Sequence, residues 1–233
     1  DIKGNVDSAL AGIRAVAEEG AEIAVLPELW SGGFHGDVAS DARETPAIME
    51  KLAETAAACR MVIAGSLAEE AGGSIFNTLY VHDSDGALAG SYRKIHLFSP
   101  TREGRLFRAG DRCVVCHTTA GFFGLVICYD IRFPELCRSL ALKGVDGLIV
   151  SAQWPASRIH HWETLLGARA IENQVFVLAA NRCGRDSSIV YGGRSRIVTP
   201  TGAVAAVAVD TEPAIRHAVL DRSEQEEFRK AIP

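Results

Sequence analysis

Three ionisable residues of this 233-residue chain each follow an apolar, strand-like stretch. Glu28 follows residues 22–27, Lys94 follows a stretch ending at Tyr92-Arg93, and Cys128 follows residues 124–127. In α/β sheets ligands gather outside the carboxyl ends of strands, so a carboxylate, an ammonium and a thiol at three such ends can converge. Their chemistry is complementary. Cys128 supplies a nucleophile, Glu28 a general base to activate it, and Lys94 a fixed positive charge for a developing oxyanion. A helix opening at Pro134 is expected to lower the thiol pKa. Singly, each residue has a plainer reading. A cysteine on an apolar strand is a small buried hydrophobe, a Pro-Glu after a strand is a solvated turn, and Lys-Ile-His at a strand end is surface. The case rests on their joint setting.

The elements that must position these residues can be read from periodicity. Val6, Leu10, Ile13 and Ala17 recur at helical spacing over residues 5–19, and Gly20 fits the stop. Thr45-Pro46 reads as an N-cap and first-turn proline opening a second helix. Residues 61–67 read as a strand, and Asp83-Ser84-Asp85-Gly86 as the turn of a hairpin joining residues 74–82 and 87–92. Strands are expected at 112–118, 122–128, 146–152, 175–181, 189–198, 204–210 and 214–220. Helices are expected at 134–143, 159–173 and 223–230. Helices interleaved among about eleven strands make an α/β fold, with two packed sheets rather than one open sheet.

Composition narrows the class. With 48% hydrophobic and 23% charged residues the chain is neither disordered, collagenous nor coiled coil. A net charge of −5 gives no footprint for nucleic acid and no polybasic anchor for a membrane. Apolar runs such as residues 203–209 fall far short of the roughly 20 that span a bilayer. Six cysteines are too sparse for a disulfide scaffold, so a cytoplasmic setting is expected. Cys113-Val114-Val115-Cys116-His117 spells a haem-attachment pattern, but it lies in an alternating strand, and Cys113, Cys116 and Cys183 read as packing. No paired Cys-x-x-Cys zinc set, dinucleotide fingerprint or phosphate-binding loop is present. Neither a metal nor a cofactor is expected.

Longer segments sharpen the reading. Leu26-Pro27-Glu28-Leu29-Trp30, Tyr92-Arg93-Lys94-Ile95-His96-Leu97-Phe98 and Cys128-Tyr129-Asp130-Ile131-Arg132-Phe133-Pro134-Glu135 resemble the three signature segments of the nitrilase, or carbon–nitrogen hydrolase, superfamily, in the right order. His161-Trp162-Glu163 with residues 168–174, and Tyr191-Gly192-Gly193-Arg194-Ser195, agree with it. The resemblance covers nearly the whole chain, so residues 1–233 are read as one domain. It implies a four-layer αββα sandwich, a Glu28–Lys94–Cys128 triad and a second glutamate in the loop after the lysine, which by position is Glu103. It also implies a further strand ahead of the first helix, and assembly into a dimer or larger oligomer through helix 159–173 and the C-terminal tail. Trp162, Leu165 and Leu166 are more apolar than an exposed helix face requires.

The expected activity is cofactor-free cleavage of a non-peptide C–N bond in a small amide, through a thioester on Cys128 with release of ammonia. A backbone N–H near Tyr129 is expected to share the oxyanion with Lys94. The cysteine signature and the short loop between Lys94 and Gly110 resemble the ω-amidase branch, whose substrates resemble 2-oxoglutaramate. Tyr129, Arg132, Trp154 and Arg158 are expected to bind substrate, the two arginines as partners for a carboxylate. N-carbamoyl amino acid hydrolase, deaminated glutathione amidase and nitrilase are the alternatives within the superfamily, and a catalytically idle interaction module is the alternative outside it.

Overall fold

The first helix, α1 (Ile2–Glu18), turns Val6, Leu10, Ile13 and Val16 inward, and the chain leaves it through Gly20 at φ +87°. The computed structural model describes residues 1–34, 37–100, 103–186, 189–208 and 212–232. After strand β1 (Ile23–Val25) comes α2 (Val38–Cys59), which starts well before the expected Thr45-Pro46 cap. Asp37 caps it, accepting from the Ala39 and Ser40 N–H groups, and Pro46 lies inside the helix. Thr45 Oγ1 donates instead to the Ala68 carbonyl at 2.6 Å and ties the helix to the sheet.

Strands β2 (Val62–Ala71), β3 (Ser74–His82) and β4 (Leu88–Arg93) complete one sheet in the order β1-β2-β3-β4. At the β3–β4 turn Gly86 adopts φ +86°, and a Cβ there would meet the Ala53 carbonyl at 2.6 Å. A one-turn helix α3 (Glu103–Leu106) follows, for which the sequence carries no periodic signal. The second sheet holds β5 (Val115–Thr118), β6 (Gly121–Ile127), β7 (Gly147–Ala152) and β8 (Phe176–Asn181). Helices α4 (Pro134–Ala141) and α5 (Ile159–Asn173) lie between its parallel strands. Residues 189–198, expected as one strand, are broken by positive φ at Gly193 and Arg194. The result is a small hairpin of β9 (Cys183–Arg185) with β10 (Val190–Gly192), then β11 (Arg196–Val198), which joins the second sheet. That sheet ends in β12 (Val204–Val207); the remainder of the expected strand, residues 209–210, lies outside the described residues. The last element is α6 (Arg222–Ala231).

Three apolar layers prove the αββα arrangement. Residues of α1 and α2 pack on Met61, Ile63 and Leu67 of the first sheet. Alternate residues Val62, Ala64, Leu79 and Val81 face Phe123, Leu125, Ile127 and Ile149 between the sheets. The outer face of the second sheet, with Val126, Val150 and Val177, packs on α4 and α5. Trp162 and Leu166 belong to this last layer and are fully buried, so their apolar character serves the core and lends no support to association through α5. Cys113, expected as packing, is exposed.

Residues 214–220 form no strand. They and β1 both line a cleft of about 1630 Å³, and β1 pairs only with β2 among the described residues. Extended chain becomes a strand only where a neighbour takes up its N–H and C=O groups. No helix among the described residues is long and apolar enough to cross a membrane.

The inter-sheet layer should dominate stability. Leu125→Ala removes a fully buried side chain and is expected to cost about 2–5 kcal/mol, whereas Leu142→Ala, at 79% exposed, should stay within about 0.5 kcal/mol of the parent. Urea unfolding midpoints at unchanged slope measure both.

Candidate active site

The strands β1, β4, β6 and β7 all end at one rim of the sandwich, and their next residues meet there. Leu26 O accepts from Ser151 Oγ at 2.8 Å, and Glu28 N–H donates to Ala152 O at 3.3 Å, so the ends of β1 and β7 are joined across the two sheets. Leu29 then takes a left-handed conformation at φ +42°, with its N–H held by Ser66 Oγ at 2.8 Å. This turn directs the Glu28 carboxylate inward, where it is wholly buried.

Lys94 follows β4. Its N–H donates to Asn77 O at 2.9 Å and its C=O accepts from Gly110 N–H at 2.8 Å. A Cβ at Gly110 would lie 2.2 Å from Arg93 O, so only glycine lets the returning loop come this close. Lys94 Nζ, 1% exposed, lies 2.7 Å from both Glu28 Oε1 and Glu103 Oε1. Glu103 opens α3 and is itself held by the Phe98 N–H, 2.6 Å from its Oε2. Burial works against the Lys94 ammonium; the two carboxylates outweigh it and hold the group above its usual range. Glu28 is raised, chiefly by burial and further by Glu103, with Lys94 opposing.

Cys128 follows β6 and opens a 3₁₀ turn, Cys128–Arg132, with φ +45°. A non-glycine residue in this region is strained and persists only where its surroundings fix it. Asp130 does the fixing. Its buried carboxylate accepts from the Ile127 N–H at 3.1 Å, the Tyr92 hydroxyl at 2.8 Å and the His96 N–H at 2.9 Å, with His96 Nδ1 2.8 Å away. One carboxylate therefore binds the chain before the thiol to the chain around the ammonium.

The thiol pKa lies well above that of an ordinary cysteine, from burial first and the Glu28 charge second; Lys94 and the Gln153 N–H work the other way. The expectation that the helix at Pro134 lowers it is corrected. That helix starts six residues further on, and dehydration with an adjacent carboxylate outweighs its pull. Cys128 as a whole residue is nonetheless partly exposed.

The four expected substrate residues stand together beside the thiol. The Arg132 guanidinium lies 4.7 Å over the Trp154 ring and 5.9 Å from the Tyr129 ring centre, and Arg158 lies 5.4 Å from that of Phe98. Trp154 is buried, with its indole N–H on Arg158 O at 2.8 Å. Among the described residues no carboxylate pairs with Arg132 or Arg158. Sequence reasoning missed Asn77, Gln153, Asp130 and His161. Gln153 had the same signal as the others, a polar residue directly after a strand. Its N–H donates to Glu28 Oε2 at 3.0 Å and its side-chain NH₂ to Glu28 O at 2.7 Å. His161 Nδ1 sits 3.1 Å from Arg132.

Comparison with known proteins gives the family. The sequence pattern of carbon–nitrogen hydrolases matches residues 1–230. The chain belongs to the carbon–nitrogen hydrolase family. It is a hydrolase of carbon–nitrogen bonds other than peptide bonds. The hydrolase is 37% identical to a 2-oxoglutaramate amidase of Bacillus subtilis (strain 168), over 91% of this chain and 83% of that protein. It is 36% identical to the omega-amidase NIT2 of Homo sapiens, over 98% and 87%. A solved mutant of the amidase from Nesterenkonia sp. AN1, showing the Michael addition of acrylamide at its active-site cysteine, superposes with a TM-score of 0.87 at 25% identity, covering 100% of this chain and 92% of that one.

The Asp130 staple predicts two graded losses. Tyr92→Phe removes one hydrogen bond to a charged group and should cost about 1.5–3 kcal/mol in chemical denaturation. Asp130→Asn turns an acceptor into a donor facing donors and should cost more than Tyr92→Phe; equal or smaller loss would show that the staple does not hold the turn.

Proposed function

We propose that the hydrolase is an ω-amidase, releasing ammonia from the terminal amide of a short acid such as 2-oxoglutaramate, with Glu28, Lys94, Cys128 and Glu103 as its catalytic residues. The observation that carries the reading is a thiol next to a buried acid–ammonium–acid cluster, followed in the chain by Tyr129, around which stand two arginines that have no carboxylate partner among the described residues. The named relatives support the substrate class.

In this reading Cys128 Sγ attacks the amide carbon while Glu28 takes the thiol proton. The oxyanion is held by Lys94 and by the Tyr129 N–H, one of the opening N–H groups of the 3₁₀ turn, which have no acceptor within it. The C–N bond breaks as Glu28 returns the proton to the leaving nitrogen, giving ammonia and a thioester. Water, deprotonated by Glu28, attacks the thioester, and the carboxylate product leaves as Sγ regains its proton. Glu103 keeps Lys94 charged and in place. Arg132 and Arg158 hold the distal carboxylate, with Tyr129 and Trp154 as the apolar wall.

Cytoplasmic residence and self-association belong to the same proposal. All six cysteines are unpaired, and Ile171 on α5 and Ile232 after α6 are the large apolar residues exposed on the segments expected to associate.

Ammonia release is the assay. Cys128→Ala should abolish it, and Glu28→Gln should lower turnover about 10²–10⁴-fold. Because the thiol is raised in the free enzyme, iodoacetamide should label Cys128 slowly at pH 7 and faster as pH rises; fast labelling that persists to about pH 5, far below the reference pKa near 8.5, would mean a preformed thiolate and remove Glu28 as its base. Arg132→Met and Arg158→Met should raise KM for 2-oxoglutaramate about tenfold or more, in line with loss of a charge-assisted contact, and leave an uncharged amide such as butyramide unaffected. Equal loss on both substrates would refute the carboxylate role.

A further inference from the structure

Asn77 lies in the middle of β3, on the face that also carries Leu79 and Val81 into the layer between the sheets, and it is fully buried. Its Nδ2 donates to Glu28 Oε1 at 2.8 Å and lies 3.4 Å from Glu103 Oε1. These are the same two oxygens that take the Lys94 ammonium at 2.7 Å. Its backbone carbonyl takes the Lys94 N–H. One residue thus touches all three members of the acid–ammonium–acid cluster. Its own Oδ1 is buried without a partner among the described residues. Burying an amide with an orphan oxygen is unfavourable, and its neighbours on this face are apolar. What the amide returns is its donor side.

We propose that Asn77 is a positioning residue for Glu28, clamping Oε1 against Lys94 so that Oε2 alone faces Cys128, and keeping the carboxylate ionised until the thiol proton arrives. The inference rests on Glu28 being the base. A carboxylate held by one ammonium can turn about its terminal bond; one held at Oε1 by two donors, and at Oε2 by the Gln153 N–H, cannot do so without losing a bond. A donor to the charged form also favours that form. The charged or titratable groups facing Glu28 are Lys94 from the end of β4, Glu103 from α3, Cys128 from the turn after β6 and Tyr191 from β10. Asn77→Leu alters none of them. Removing the donor must therefore raise the pH at which Glu28 ionises.

The test is the pH profile of kcat/KM for ammonia release. Asn77→Leu is expected to move the acid limb up by about one to two pH units, the equivalent of one hydrogen bond to a charged group. It should leave KM above the limb within about threefold of the parent, since Asn77 does not contact the arginine wall. A folded Asn77→Leu with the parent acid limb overturns the proposal. Asn77→Ser, smaller and too short to reach either carboxylate, should show the same shift. The parent enzyme gives a measurement independent of any variant's folding: with ¹⁵N-asparagine labelling, the Asn77 side-chain amide signal should move with pH along the acid limb, and a signal that does not move refutes the contact. Glu28→Gln separates the two failures. If it stays active, the general-base reading falls; if it is inactive while Asn77→Leu keeps the parent profile, only the role of Asn77 falls.

Discussion

A single ammonium buried between two carboxylates sets the terms for the rest of the molecule. Moving Lys94 from water to the interior would be prohibitive alone, and it is tolerable only because Glu28 and Glu103 both reach it at contact distance. The three charges come from the ends of β1 and β4 and from α3. None of these elements can shift by an ångström without exposing a charge to apolar surroundings. The cluster also carries one more negative than positive charge, and that excess, with burial, keeps the neighbouring thiol protonated.

Rigidity at the rim follows from this demand. Two residues there, Leu29 and Cys128, accept left-handed backbone, and each is fixed by a buried polar group: Ser66 beneath the first, Asp130 beside the second. Local strain of this kind survives when the fold behind it is dense. The inter-sheet layer from Val62 to Leu178 supplies that density, and links such as Ser151 to Leu26 stop the two sheets sliding past each other.

The site separates its charges. The acids Glu28 and Glu103 are buried within the fold. Arg132 and Arg158 lie on the outer side among Phe98, Tyr129 and Trp154, where aromatic faces hold the guanidinium groups without cancelling their charge.

The sequence by itself determined the order of elements from α1 to β4 and from β5 to β8, and the positions of Glu28, Lys94 and Cys128 after strands, because apolar periodicity and the polar residue that ends it are local signals. Helix α5 spans the expected residues 159–173 for the same reason. The start of α2 differs from the expected Thr45-Pro46 cap because Asp37 caps the helix and Thr45 bonds across to Ala68, a residue distant in the chain. The 189–198 break and the unpaired 214–220 segment depend on neighbours distant in the chain. Asn77 shows the limit most clearly. As the one polar residue in the Ile75, Leu79, Val81 alternation it gave a signal, but only the tertiary structure, by bringing β1, β3, β4 and α3 together, decided that its amide faces two carboxylates, since a hydrogen bond spanning 49 residues has no local trace.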